Sequence, residues 1–234
     1  MLTSPHFVNL YLARTPATSL LLLNPFNGIL KRDRHKPNVH LVDIISALGR
    51  CSFVKLQVPK MIFSSTQIVG SCNGLICFFN SLFLGVTHFI FAIQITGENV
   101  AILKPTVKLK EVFAFGFSSN TNQYKILQIV RTMVGQNLVN QSIGMVHTLG
   151  TRLWRSIGHA PFPLHDHLFG VPLNEALHWI VGDDNSSEYI CFFDLKNEKF
   201  ESFSPPPQLE KMNTSMYLGV LGDFLYLSNK TGSN

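Results

Sequence analysis

Charge is scarce in this chain. Only 14% of its 234 residues are Asp, Glu, Lys or Arg, while 46% are hydrophobic; soluble proteins average about 25% charged. With a mean hydropathy of +0.19, the composition excludes disorder as the main state. Tryptophan and tyrosine are few, 2 and 5 residues against 19 Phe, and Phe-rich sequence favours strands and packed cores. The four cysteines, Cys51, Cys72, Cys77 and Cys191, include no CxxC pair. That spacing offers no support for a four-ligand zinc site and leaves reduced, structural thiols as the expectation. Residues 1–10 contain neither a basic nor an apolar leader segment, so a cytoplasmic and/or nuclear protein is expected. There, the N-x-Ser/Thr triplets at Asn140, Asn185, Asn213 and Asn229 would carry no glycan.

Catalytic signatures are missing as well. Nothing matches G-x-S-x-G, a P-loop or H-E-x-x-H, and no catalytic residue, cofactor or metal is expected. The sharpest metal candidate is His165 with His167, which would share one face of a strand. They stand between Pro163 and Gly170 without a partner cluster, and read as a solvated loop. The net charge is +5, and its densest run, Lys31-Arg32-Asp33-Arg34-His35-Lys36, is interrupted by Asp33 and has no aromatic for base stacking. No nucleic-acid partner is expected.

One stretch is long enough to cross a bilayer: residues 74–95 contain no Asp, Glu, Lys or Arg. Asn80, Ser81, Thr87, His88 and Gln94 are scattered through it, and Asn80-Ser81 sits where a turn between two strands would fall. Two buried strands are expected, with no membrane partner. Elsewhere, runs of four to eight apolar residues alternate with Gly, Pro, Asn, Asp and Ser clusters, the pattern of many short strands. The exception is His40 to Leu48, where Leu41, Ile44, Ile45 and Leu48 recur at helical spacing and predict a short helix.

A repeat organises these strands. Asn73-Gly74, Asn174-Glu175 and Gly222-Asp223 each form a turn pair ahead of an apolar strand, and Asn122 begins a weaker copy in which Lys125 replaces an apolar residue. A second repeated element is a strand, a polar turn and a returning strand that opens on a large apolar anchor: Val100, Trp154 and Phe200. The anchors are expected to pack beneath the neighbouring unit. Periods near 50 with four strands per unit point to a kelch-like β-propeller. Trp154, Trp179 and Phe200 could form a stacking platform, but at repeat anchors they read as core.

These segments resemble the F-box-associated domain of plant F-box proteins. Ile68 to Phe78, with Gly70, Cys72, Asn73 and Gly74, is similar to that family's GSCNGLLCL hallmark. Phe113 to Leu127, with Gly116 and Tyr124, resembles its FGFGYDSSTDDYKVV segment. Val146 to Ile157 carries the Trp154 motif, Gly170 to Trp179 the GVFVNGALHWL motif, and Phe192 to Phe200, with Asp194, the FDLEEEKF motif before Pro205-Pro206-Pro207. Leu218 to Leu225 resembles the segment that follows. Two positions depart: Ile93-Gln94-Ile95 replaces the usual Trp-Asn-Pro, and Glu175 stands where the family prefers Gly.

The resemblance implies a substrate-recognition module of an SCF-type ubiquitin ligase, non-catalytic in itself, that holds an unknown target protein. Residues 1–15 resemble the remnant that follows an F-box, 16–67 supply N-terminal strands with a loop or short helix, and 68–234 form the propeller-like domain. The F-box itself is absent, so docking to a Skp-type adaptor is not expected. The alternative is a peptide- or carbohydrate-binding propeller that works without a ligase. Rim loops normally carry such contacts, which singles out His159, His165 and His167 in one loop and Asp183, Asp184 and Glu188 in another. A closed ring of six or seven units needs on the order of 300–350 residues. About four four-stranded units are therefore expected, in a partial, open, C-terminally truncated propeller whose edges favour self-association.

Overall fold

The computed structural model describes residues 20–23, 39–45, 50–55, 66–81, 87–93, 98–104, 111–134, 137–161, 170–182, 188–204, 216–221 and 223–229. All regular structure among them is β. The first sheet contains β1 (Leu20–Leu23), β2 (Val39–Ile45) and β3 (Arg50–Lys55). The second contains β4 (Thr66–Cys72), β5 (Leu75–Ser81), β6 (Thr87–Ile93) and β7 (Asn99–Leu103). The third contains β8 (Glu111–Ser118), β9 (Gln123–Val134), β10 (Asn137–Thr148) and β11 (Trp154–His159). The fourth contains β12 (Val171–Leu173), β13 (Ala176–Gly182), β14 (Glu188–Asp194) and β15 (Lys199–Phe203). A fifth is the hairpin β16 (Met216–Leu221) and β17 (Phe224–Asn229).

Each sheet is an antiparallel meander in chain order. Three of the five have the four strands expected of a propeller unit. The chain divides into two compact units, residues 1–106 and 107–234.

Two expectations are corrected. Residues 39–45 of the expected His40–Leu48 helix form β2, paired on one side with β1 and on the other with β3. The apolar spacing there fits a helix, but Val39, Val42, Ile44 and Ile45 are β-branched, and two flanking strands supply the ladder such residues suit. Asn80-Ser81 is not a turn: Asn80 pairs with His88 and Ser81 with Thr87, so both belong to the β5–β6 ladder. The two strands expected in the 74–95 stretch are present as β5 and β6, with Cys77, Phe89, Ile90 and Phe91 wholly buried. Among the described residues no helix is long and apolar enough to cross a membrane.

The repeat is visible in the register. The anchors Val100, Trp154 and Phe200 lie opposite Phe91, His147 and Phe193 in their own sheets. Within residues 107–234, the third and fourth sheets stack face to face. Val112, Ala114, Leu127, Ile129 and Val146 meet Leu177, Trp179, Val181, Cys191, Phe193 and Leu195 in one buried cluster. The other face of the fourth sheet places Ile180 and Ile190 against Leu218 of β16 and Leu227 of β17. Burial on both faces explains why residues 176–181 of β13 are all buried, with His178 the one polar side chain among them. Gly116 marks the tightest approach: a Cβ there would lie 2.7 Å from Leu195 Cδ1 and 3.0 Å from Leu177 Cδ2, so any side chain would force the two sheets apart.

Candidate functional site

The turns joining β8 to β9, β12 to β13 and β14 to β15 gather at one end of the third and fourth sheets. The β12–β13 connection is a two-residue turn in which Asn174 and Glu175 have φ of 47° and 59°. Positive φ at both positions is the type I′ hairpin geometry. Asn73-Gly74 has the same signs, 48° and 73°. Glu at a left-handed position costs about 1 kcal/mol, and local contacts offset that cost. The Ser119 backbone N–H donates to Glu175 Oε2 at 3.1 Å, and the Ser119 hydroxyl donates to Oε1. The Leu195 N–H donates to the Glu175 carbonyl at 3.0 Å. Glu175 thereby ties the turns of two sheets together, a role glycine could not fill. The Ser119 hydroxyl, with smaller help from Asn120, holds the Glu175 carboxyl below its ordinary range.

Asp194 organises the β14–β15 turn. Its Oδ1 accepts the backbone N–H groups of Lys196 at 2.7 Å and Asn197 at 3.1 Å, and its Oδ2 accepts the Asn197 carboxamide at 2.6 Å. Burial opposes ionisation, but these bonds outweigh it and keep the carboxyl below its ordinary range. At the end of the same turn, Glu198 (φ 55°) meets two cations. Lys125 Nζ, on a side chain only 3% exposed, donates to Glu198 Oε1 at 2.9 Å and to the Leu195 carbonyl at 2.6 Å; Arg155 also pairs with Glu198. Burial raises the Glu198 pKa, but Arg155 and Lys125 outweigh it and lower the net value. The substitution of Lys125 for an apolar residue thus has a structural reason: it clasps the third sheet to the fourth.

Between these turns lies a cleft of about 480 Å³, lined by Asn120, Asn174, Glu175, Ala176, Phe192, Asp194 and Lys196. Ala176 and Phe192 contribute apolar surface, and the two Asn side chains contribute both donors and acceptors.

The rim-loop candidates fall elsewhere. His159 is exposed at the end of β11. Glu188 begins β14 opposite Gly182. Both strand ends are remote from the turns, because β11 and β13 each run away from them. His165, His167, Asp183 and Asp184 lie outside the described residues. Gly70 is in β4 next to a register shift, and Cys72 ends that strand. Tyr124 is buried against Phe115 and Phe117. Trp179 is buried between sheets, Phe200 packs on Phe193, and Trp154 packs on His147. Asp194 and Asn174 line the cleft. Ser119, Asn120 and Lys196 were missed, and the one signal pointing to this end of the sheets was Glu175 in place of glycine.

Among the described residues no three His, Cys, Asp or Glu side chains converge as metal ligands would. The Cys77 thiol is pushed far up by burial, and that of Cys191 is pushed up to about 12. Both are inert core groups.

Residues 42–228 match the profile of the F-box associated beta propeller domain. The chain is 26% identical over 195 residues to F-box protein At3g07870 of Arabidopsis thaliana, an alignment covering 72% of this chain and 46% of that protein. It is 21% identical over 176 residues to F-box/kelch-repeat protein At3g23880 of the same plant, covering 66% and 43%. The chain therefore spans about half the length of the curated relatives it matches. Solved structures of TolB from Acinetobacter baumannii and of YjhT superpose with TM-scores of 0.44 and 0.46 at 11% and 9% identity. They cover 83% and 82% of this chain and 46% and 66% of theirs, a likeness too distant to bear on function. With the profile match running from β2 to β17, the chain belongs to the F-box associated beta propeller domain family.

Proposed function

We propose that this chain is a substrate-recognition module that presents a target protein to an SCF-type ubiquitin ligase in the cytoplasm or nucleus. The observation that carries the reading is the family match over residues 42–228, with two relatives that are named F-box proteins. The physical arrangement suits such a role. A stacked pair of sheets gives a rigid support, and short turns with fixed carboxylates and carboxamides give a preformed polar surface, so little ordering cost is left for binding. Such a module contributes proximity, and the chemistry of ubiquitin transfer belongs to other subunits.

The test is reconstitution. The full chain, fused behind an F-box, is assembled with a Skp-type adaptor, cullin, RING subunit and E2, and incubated with proteins captured on the chain alone. At least one captured protein is expected to gain ubiquitin with the fusion and not with the F-box by itself. A captured protein that binds stoichiometrically and is never modified would contradict the ligase role and favour ligase-independent binding.

A further inference from the structure

We infer that the cleft between the Asn120, Asn174-Glu175 and Asp194–Lys196 turns receives an Arg or Lys side chain presented on an exposed peptide segment, an inference that rests on the target-binding role above and names the chemistry of the contact. Three carboxylates stand at this end of the third and fourth sheets, and they differ in what neutralises them. Glu198 is paired with two cations, Lys125 and Arg155, and has no charge to offer. Glu175 is held by the Ser119 N–H and hydroxyl. Asp194 is held by backbone N–H groups and the Asn197 carboxamide. Neutral donors satisfy lone pairs without cancelling charge, so Glu175 keeps its negative field, and Asp194 keeps the part that the Lys196 ammonium does not offset.

Against these two anions the lining sets one cation, Lys196, leaving a local negative site on a chain whose net charge is +5. The remaining wall fits a basic peptide. Asn120 and Asn174 can accept from and donate to peptide groups. Phe192, half-buried with its ring against His178 and Phe203, offers an aromatic face to a guanidinium or ammonium. A volume near 480 Å³ suits one long side chain and its flanking main chain, not a folded domain.

The experiment measures binding of the full chain to fluorescent heptapeptide pools, randomised except for a central Arg, Lys, Gln or Glu. The Arg and Lys pools are expected to bind more tightly than the Gln pool, and the Glu pool most weakly. Glu175→Gln, which can still accept from Ser119, should reduce the Arg preference by up to about fivefold, the range for an exposed charge pair. Lys196→Gln, at an exposed position, removes the cation that attracts Asp194 and should raise Arg-pool affinity by a similar factor. Equal binding of all pools, preference for the Glu pool, binding of an oligosaccharide array in place of peptides, or no response to Lys196→Gln would each overturn the inference. Failure of the two proposals is separable. Arg preference without ubiquitin transfer removes only the ligase role; ubiquitin transfer unchanged by Glu175→Gln and Lys196→Gln removes only the cleft.

Discussion

Toward the third sheet, β13 and β14 bury Leu177, Trp179, Val181, Cys191 and Phe193 in one cluster that also takes in Leu195 and half-buried Phe200. Toward the β16–β17 hairpin, the same two strands bury Ile180 and Ile190 beside half-buried Leu218 and Leu227. The far side of the hairpin exposes Leu221 at 75% and Phe224 at 77%. The first interface has polar ties as well: Lys125 to Glu198 and to the Leu195 carbonyl, Arg155 to Glu198, Ser119 to Glu175, and the Gly170 N–H to the Phe113 carbonyl at 2.9 Å. Apolar area sets the depth of an interface, while polar ties fix its register, the buried Lys125 ammonium above all, because it would be left unsatisfied if the sheets slipped. The cleft is lined by Asn120 of the third sheet and by Ala176, Phe192 and Asp194, which alternate along β13 and β14 with the residues of the deeper cluster.

Substitutions that weaken one interface and spare the other separate these contributions. Phe193→Ala should have the largest effect. It empties a fully buried site between the sheets and should cost about 3–5 kcal/mol, read as a lower urea midpoint for residues 107–234. Glu198→Ala follows, at roughly 3 kcal/mol, because it leaves the Lys125 ammonium buried with only the Leu195 carbonyl. A cost below about 1 kcal/mol would mean that the clasp behaves as an ordinary surface pair.

The pH response comes next. Burial lowers the pKa of His147, partly offset by a bond to the Thr151 backbone, and that of His178, partly offset by Val171 and Ala176. The unfolded chain takes up these protons as pH falls through about 6.5, and the folded chain only at lower pH. Stability is therefore whole near neutrality and is lost as pH falls from about 7 toward 5. Replacing both with Phe should flatten the pH dependence of the melting temperature in that window. Glu175, Asp194 and Glu198, all lowered, contribute stability that disappears on further acidification, through the carboxylate range. At the small end, Phe224→Ser on the open face of the hairpin should change stability by no more than about 0.5 kcal/mol.

Much of the strand pattern was legible because its turns announce themselves. Asn-Gly at 73–74 and the anchors Val100, Trp154 and Phe200 fix hairpin ends and register without reference to distant contacts. The segment 39–45 was not legible, because a run of Leu, Val and Ile fits helical spacing and strand propensity at once, and pairing with β1 and β3 decides it. The cleft was hidden for a related reason. Ser119, Asn120 and Lys196 are ordinary turn residues until the third and fourth sheets stack, and stacking depends on contacts such as Gly116 with Leu195, 79 positions apart. Lys125 read as a flaw in a repeat because its partner Glu198 is 73 positions away along the chain.

Native-state hydrogen exchange on the full chain tests most directly whether the third and fourth sheets form one cooperative body. The amides of β8, β9, β13 and β14 should exchange together, through complete unfolding of residues 107–234, while those of β16 and β17 exchange through a lower-energy opening. Protection of β16–β17 equal to that of β13–β14, or separate exchange of the third and fourth sheets, would contradict it.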